Sequence, residues 1–191
     1  MQKENPTAII LAGGKSSRMK EEKGLVNLNG KKLIEYVIES AKKFASHIII
    51  ITSNPDYKQF GYLCIEDEMK EKGPLGGILT GLNHSTTSKN LILGCDMPFL
   101  SQTLLSAIIQ NIGDEEVLLT EHQGKAEPLC SVYDRNCITH IRLQIEQNQL
   151  KITNALGGLN TRTISFDRED WFKGNEFANI NSFEEMRKYE S

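Results

Sequence analysis

Apolar residues in this chain follow two alternating rhythms. Short, β-branched runs stand at 7–11 (TAIIL), 47–52 (HIIIIT), 62–66 (YLCIE) and 90–95 (NLILGC), each the length of one buried strand. Between them the apolar positions recur every three or four residues. Leu33, Ile34, Val37, Ile38, Ala41, Phe44 and Ala45 share one face of a helix predicted over 32–45. Residues 75–85 predict a second helix, opened by Pro74 and loosened by its glycines. Ser101 caps a third that carries Leu104, Leu105, Ile108, Ile109 and Ile112, and Gly113 stops it. Further strands are predicted at 115–121, 127–133 and 161–166. A helix over 134–148 has Ile138, Ile141 and Ile145 on one face, and a capping box from Ser182 to Glu185 opens a terminal helix over 182–189. Residues 167–177 read as a surface loop rather than a domain boundary.

Alternation of strand and helix predicts an α/β fold of three layers, a mainly parallel sheet with helices on both faces. A chain of 191 residues suffices for one domain with a full core and is short for two, so 1–191 is expected to be a single domain. Ligands in such folds bind beyond the carboxyl ends of the strands.

Composition removes several functions. The net charge of −3 gives no global attraction to nucleic acid or an anionic membrane, so an anionic ligand would have to meet positive charge supplied locally. No apolar run approaches the roughly 20 residues that span a bilayer. The polar start, MQKENPT, is too short for a signal peptide, so the protein is expected in the cytoplasm. Cys64, Cys95, Cys130 and Cys137 lack metal or redox spacing and read as reduced thiols. The four histidines are scattered and read as structural or surface residues.

Local positive charge is found directly after the first strand. Gly13 and Gly14 allow backbone N–H groups to line a tight concavity of the kind that binds anions. Ser16 and Ser17 add hydroxyl donors; Lys15, Arg18, Lys20 and Lys23 add charge. The set describes a polyphosphate cradle, although neither the P-loop nor the dinucleotide fingerprint is present. A strand-to-helix turn with solvated charges is the competing reading. Three later features favour the cradle. Asp67 ends a strand, GPLGG (73–77) offers a side-chain-poor turn suited to backbone approach to a flat ligand, and Asp96 follows a buried strand just before Pro98. A lone strand-end carboxylate is a common way to hold Mg²⁺ against nucleotide phosphates; capping the next segment is the alternative.

Taken in order, these motifs resemble the molybdenum cofactor guanylyltransferase family. They are L-A-G-G-x-S-x-R-M at 11–19, Lys23, L-x-G at 28–30, D-x₅-G-P-L-x-G at 67–77, C-D-x-P-F-L at 95–100, P-L-C-x-x-Y at 128–133 and N-I-N-S-x-E-E at 179–185. The resemblance implies a Rossmann-like nucleotidyltransferase fold with a nucleotide-binding N-terminal part and a pterin-side C-terminal part. It implies that Leu11, Ala12, Gly13 and Gly14 line the nucleoside, that Lys23 and Arg18 meet the phosphates, that Asp67 binds the nucleoside part and that Asp96 holds Mg²⁺. Asn179 and Asn181 would face the pterin, and Asn54 lies near a nucleotide contact of the family. The implied substrates are GTP and Mo-molybdopterin, with transient contact to molybdoenzymes or their chaperones. The Gly13–Gly14 pair after Ala12 favours GTP over CTP. Lys20 stands where the family carries Gly, and Glu22 where it carries Asp; both bear on fine substrate choice more than on reaction type. A related cytidylyl or sugar-phosphate transferase and a non-catalytic GTP-binding regulator are the alternatives.

Overall fold

The computed structural model describes residues 4–13 and 22–189. Its elements follow the chain as β1 (Thr7–Leu11), β2 (Asn27–Leu28), β3 (Lys31–Lys32), α1 (Leu33–Ala41), β4 (His47–Ile51), β5 (Leu63–Ile65), α2 (Gly73–His84), β6 (Lys89–Gly94), α3 (Gln102–Gln110), β7 (Val117–His122), β8 (Lys125–Ala126), β9 (Cys130–Asp134), α4 (Cys137–Glu146), α5 (Ile152–Ala155), β10 (Thr161–Ser165) and α6 (Phe183–Arg187). Short 3₁₀ turns stand at Lys23–Leu25, Pro55–Phe60 and Asn175–Phe177.

The main sheet runs β10-β7-β9-β6-β1-β4-β5, with β8 paired to β7. Every neighbour pair along it is parallel except those of β9, which runs against both β6 and β7. The expected mainly parallel sheet is therefore present, with β9 reversed within it and two-residue β8 antiparallel to β7. All five residues of β9 are buried, as are those of β1, so the burial of a strand by itself does not reveal its direction.

Alternate residues of β1 serve opposite faces, as the pleat requires. Ala8 and Ile10 pack with Ile34, Val37 and Ile38 of α1 and Leu104, Leu105 and Ile108 of α3. Ile9 and Leu11 pack with Leu75, Ile78 and Leu82 of α2 and Ile141 and Ile145 of α4. These two cores are the interfaces of a three-layer arrangement.

Some boundaries and one role differ from the sequence reading. The helix predicted over 32–45 ends at Ala41, and Phe44 and Ala45 pack on the core from the turn that follows. The helix predicted from 134 starts at Cys137, because Asp134 completes β9 and its Oδ1 accepts from the Asn136 N–H at 2.9 Å. Residues 167–177, expected to be a surface loop, are more than a solvated one. Trp171, Phe172 and buried Phe177 pack onto the core. The GPLGG segment is not a free turn but the start of α2. A Cβ on Gly76 would meet the Met69 carbonyl at 2.8 Å, one on Gly77 would meet Leu11 at 3.2 Å, and one on Gly81 would meet Ile9 Cγ2 at 2.4 Å. The glycines let α2 lie close on β1.

Candidate active site

At the carboxyl ends of β1 and β6 the two strands separate from their ladder. The Ala12 N–H donates to the Ile51 carbonyl at 2.9 Å and the Cys95 N–H to the Leu11 carbonyl at 3.1 Å. These bonds commit the polar groups of Leu11 and Ala12 to the sheet and fix where the chain leaves it. Beyond them Gly13 has no described atom within 4 Å of where a Cβ would sit, so its side faces open space.

Two residues past β6, Asp96 turns its carboxylate toward Lys23. The Lys23 Nζ donates to Asp96 Oδ2 at 3.1 Å and to Asn181 Oδ1 at 2.5 Å. The pair is only partly shielded, with side-chain exposures of 28% for Lys23 and 14% for Asp96. Asn181 arrives on the C-terminal segment, which is fastened to the same strand end: the Ile180 N–H donates to the Asp96 carbonyl at 2.9 Å. Ile180 itself is buried with Val26, Leu28, Leu33 and Met186. Ser182 caps α6 by accepting from the Glu185 N–H at 3.1 Å, but the expected capping box is only half formed, because the Glu185 carboxylate accepts from the Asn181 N–H at 2.7 Å instead of that of Ser182. Three segments remote in sequence thus converge on one ammonium group.

Of the residues singled out in the sequence, Lys23, Asp96 and Asn181 come together. Asn179 is one step away; its side-chain amide donates to the Phe177 carbonyl at 3.4 Å, and its own carbonyl accepts from Asn181 Nδ2 at 3.5 Å. Asp67 stands at the end of β5, two strands from β1, where its Oδ1 accepts from the Met69 N–H at 2.9 Å and the Thr80 hydroxyl at 3.0 Å. In this structure it fastens the approach to α2. Asn54 caps the Pro55–Phe60 turn by accepting from the Asp56 N–H at 2.9 Å. Gly14, Lys15, Ser16, Ser17, Arg18 and Lys20 lie outside the described residues. The contact between Lys23 and Asn181 spans 158 positions and has no signal in local spacing.

The electrostatics exclude one chemistry. Burial, with the Asp96 charge beside it, pushes the Cys95 thiol well up, so it stays protonated and is no nucleophile. The donor set does fit a hard divalent cation. A carboxylate oxygen and an amide oxygen already flank a positive charge, that of Lys23. Among the described residues no group of three acidic, histidine or cysteine side chains converges.

A family model described as the MobA-like NTP transferase domain matches residues 8–158. The chain belongs to this family. Two MobA-like relatives match nearly end to end. One, from Flavobacterium johnsoniae and named "Probable molybdenum cofactor guanylyltransferase", is 36% identical over 96% of this chain and 95% of its own. The other, the molybdenum cofactor guanylyltransferase of Desulfosudis oleivorans, is 34% identical over 97% of this chain and 94% of its own. The crystal structure of molybdopterin-guanine dinucleotide biosynthesis protein A from Archaeoglobus fulgidus superposes with a TM-score of 0.81 at 25% identity, covering 96% of each chain. The MobA-like fold therefore extends past the matched domain to the segment that carries Asn181.

Proposed function

We propose that this chain is a molybdenum cofactor guanylyltransferase, which transfers GMP from GTP to the terminal phosphate of Mo-molybdopterin and releases pyrophosphate. The observation that carries the reading is the Lys23 ammonium held between Asp96 and Asn181 at the carboxyl ends of β1 and β6. That is where an α/β sheet accepts a ligand, and it is a local cation in a chain of net charge −3.

In the transfer, an oxygen of the acceptor phosphate forms a bond to the α-phosphorus of GTP. The bond from that phosphorus to the bridging oxygen breaks, and pyrophosphate leaves with the electron pair. The acceptor oxygen is already anionic, so no general base is needed. What remains is to bring two anions together in line and to neutralise charge as it moves to the leaving group. Lys23 meets the triphosphate, joined by Arg18. Leu11, Ala12, Gly13 and Gly14 line the nucleoside, with Asp67 on its far side. Asn179 and Asn181 face the pterin substrate, which makes the C-terminal part of a single domain the acceptor side. Asp96, with Asn181 beside it, would hold Mg²⁺; the metal supplies Lewis-acid polarisation of the phosphates and orients the leaving group. Among the described residues no helix is long and apolar enough to cross a membrane. The proposed setting is the cytoplasm, with transient contact to molybdoenzymes or their chaperones.

Pyrophosphate release, measured with Mo-molybdopterin and each of the four nucleoside triphosphates, with and without Mg²⁺, tests the reading. Release with GTP that depends on both Mg²⁺ and the pterin is the expected result. Preference for CTP would move the chain to a cytidylyl activity, and GTP binding without release would make it a regulator.

A further inference from the structure

Tyr57 has no part in the chemistry above, and no contiguous motif draws attention to it. Its side chain is fully buried. Its hydroxyl makes no well-formed hydrogen bond among the described residues, although it lies close to the Gly24 backbone and the Cys95 side chain, and burial pushes the phenol far above its usual range, so it is uncharged. A buried hydroxyl without a partner is costly, and phenylalanine would fill the same ring volume without that cost. The oxygen's surroundings suggest what it does.

A Cβ added to Gly24 would lie 2.7 Å from the Tyr57 hydroxyl oxygen, 3.1 Å from Tyr57 Cε1 and 3.2 Å from Cys95 Cβ. Gly24 therefore sits in a notch formed by the tip of Tyr57 on one side and Cys95 on the other. Its chain neighbour is Lys23, and the neighbour of Cys95 is Asp96. The notch is one residue from each member of the charged pair. A second contact comes from the same 3₁₀ turn. Against the burial that raises the Glu22 pKa, the cap of that turn, Asn54, lies close enough to the carboxylate to favour its charged form. The Pro55–Phe60 turn and its cap thus reach both flanks of Lys23, Glu22 through Asn54 and Gly24 through Tyr57.

We infer that Tyr57 is a positioning residue, whose hydroxyl tip seats Gly24 against Cys95 and so sets the spacing between the Lys23 ammonium and the Asp96 carboxylate. The inference rests on the guanylyltransfer reading for its kinetic consequence, and on geometry alone for its structural one. It explains the glycine at position 24, where φ is not left-handed and only the approach of Tyr57 and Cys95 forbids a side chain.

The test is a double-mutant cycle with Gly24→Ala, Tyr57→Phe and the pair combined. Three quantities are read for each protein: kcat/KM for GTP in pyrophosphate release, the rise in melting midpoint caused by GTP with Mg²⁺, and the melting midpoint without ligand. Displacing Lys23 by a fraction of an ångström to one ångström should lower kcat/KM by about 10- to 100-fold in Gly24→Ala. Tyr57→Phe should lower it by a smaller factor. The double variant should recover activity above Gly24→Ala, because the missing oxygen makes room for the methyl group. The GTP-induced rise should follow the same order; the unliganded midpoint should fall most in Gly24→Ala, whose methyl group would stand 2.7 Å from the Tyr57 oxygen, and should recover in the double variant. Independent, multiplying effects in the cycle would overturn the inference. So would a Tyr57→Phe variant that changes only the unliganded midpoint. If Gly24→Ala fails to fold, Tyr57→Phe decides alone: full kcat/KM and a full GTP-induced rise overturn it, a deficit in both sustains it. A parent protein that releases no pyrophosphate refutes the transfer reading and leaves the cycle to be decided on the GTP-induced rise.

Discussion

Replacing Lys23 by alanine separates catalysis from stability. In the unliganded protein the lysine makes two hydrogen bonds, at 3.1 Å to Asp96 and 2.5 Å to Asn181. Each hydrogen bond is worth about 0.5–1.5 kcal/mol net, and water can reach a side chain that is 28% exposed and replace part of it. The expected loss of stability is therefore about 1–2 kcal/mol. At roughly 2–4 °C per kcal/mol for a chain of this size, the melting midpoint should fall by about 2–8 °C. On the proposed reading the catalytic loss is larger, because the ammonium would be preorganised where leaving-group charge develops. Loss of one such contact costs about 10²–10³ in kcat, or about 2.7–4 kcal/mol. The assay is pyrophosphate release at saturating GTP, pterin and Mg²⁺ at 25 °C, well below the transition, beside a melting curve. Asp96→Asn is the companion: it keeps the shape, and should stay folded with activity lost at every Mg²⁺ concentration. Near-normal kcat in Lys23→Ala would refute the electrostatic argument. A fall in midpoint beyond about 10 °C, with activity tracking the folded fraction, would make the lysine chiefly structural.

Two further outcomes follow from packing and titration. Gly81→Ala should destabilise by about 1–3 kcal/mol in urea unfolding despite the better helix propensity of alanine, because the new methyl group would stand 2.4 Å from Ile9 Cγ2; unchanged stability would mean that α2 can lift off β1 at no cost. His122, whose Nδ1 lies 2.6 Å from Asp167 Oδ1, and the Gln123 N–H together hold the Asp167 carboxyl below its usual 3.8. A depressed acid contributes stability that is present above pH 3.8 and is lost as pH falls through the lower folded value. Asp167→Asn should therefore melt below the parent near neutral pH, with the gap closing under pH 3.8; a gap independent of pH would show that the pair's charge contributes nothing.

Much of the architecture was legible because burial on both faces leaves a mark in the sequence. The unbroken apolar runs of β1, β4 and β6 reflect strands covered above and below by helices, and the period of α1 and α3 reflects one covered face each. Lys23 and Asp96, which the fold brings together, stand out in the sequence for different reasons, the first as one of a run of cations in the loop that follows β1, the second as a carboxylate just past buried β6. Other features left no local trace. The Asn29–Gly30 turn of the β2–β3 hairpin was readable in principle, since both residues adopt positive φ and Asn-Gly favours that turn, but strands of two residues carry no periodicity to flank it. The glycines of α2 were misread because a missing side chain marks close approach without saying what approaches, and here it is the Met69 backbone, Leu11 and Ile9. The seat of Gly24 against Tyr57 has the same ambiguity.

The distribution of the site along the chain has an energetic consequence. Lys23 belongs to the first strand crossover, Asp96 to the middle of the chain and Asn181 to its last segment. None of the three is near another until the sheet is complete. The C-terminal segment is joined to the site by Ile180, whose backbone N–H binds the Asp96 carbonyl and whose side chain is buried with Val26, Leu28 and Leu33. Full burial of one such side chain contributes about 1.5–3 kcal/mol, at least as much as an individual polar contact of Asn181. Apolar packing, rather than the charged pair, therefore holds the proposed acceptor side against the nucleotide side. The same cluster packs the β2–β3 region that follows Lys23, so the lysine and the asparagine are tied to one small core beside Asp96. This division of labour leaves the polar groups free to exchange partners. When a triphosphate takes over the ammonium, Asn181 can lose its bond to Lys23 while Ile180 and Met186 keep the segment docked, and the site need not come apart to admit its substrates.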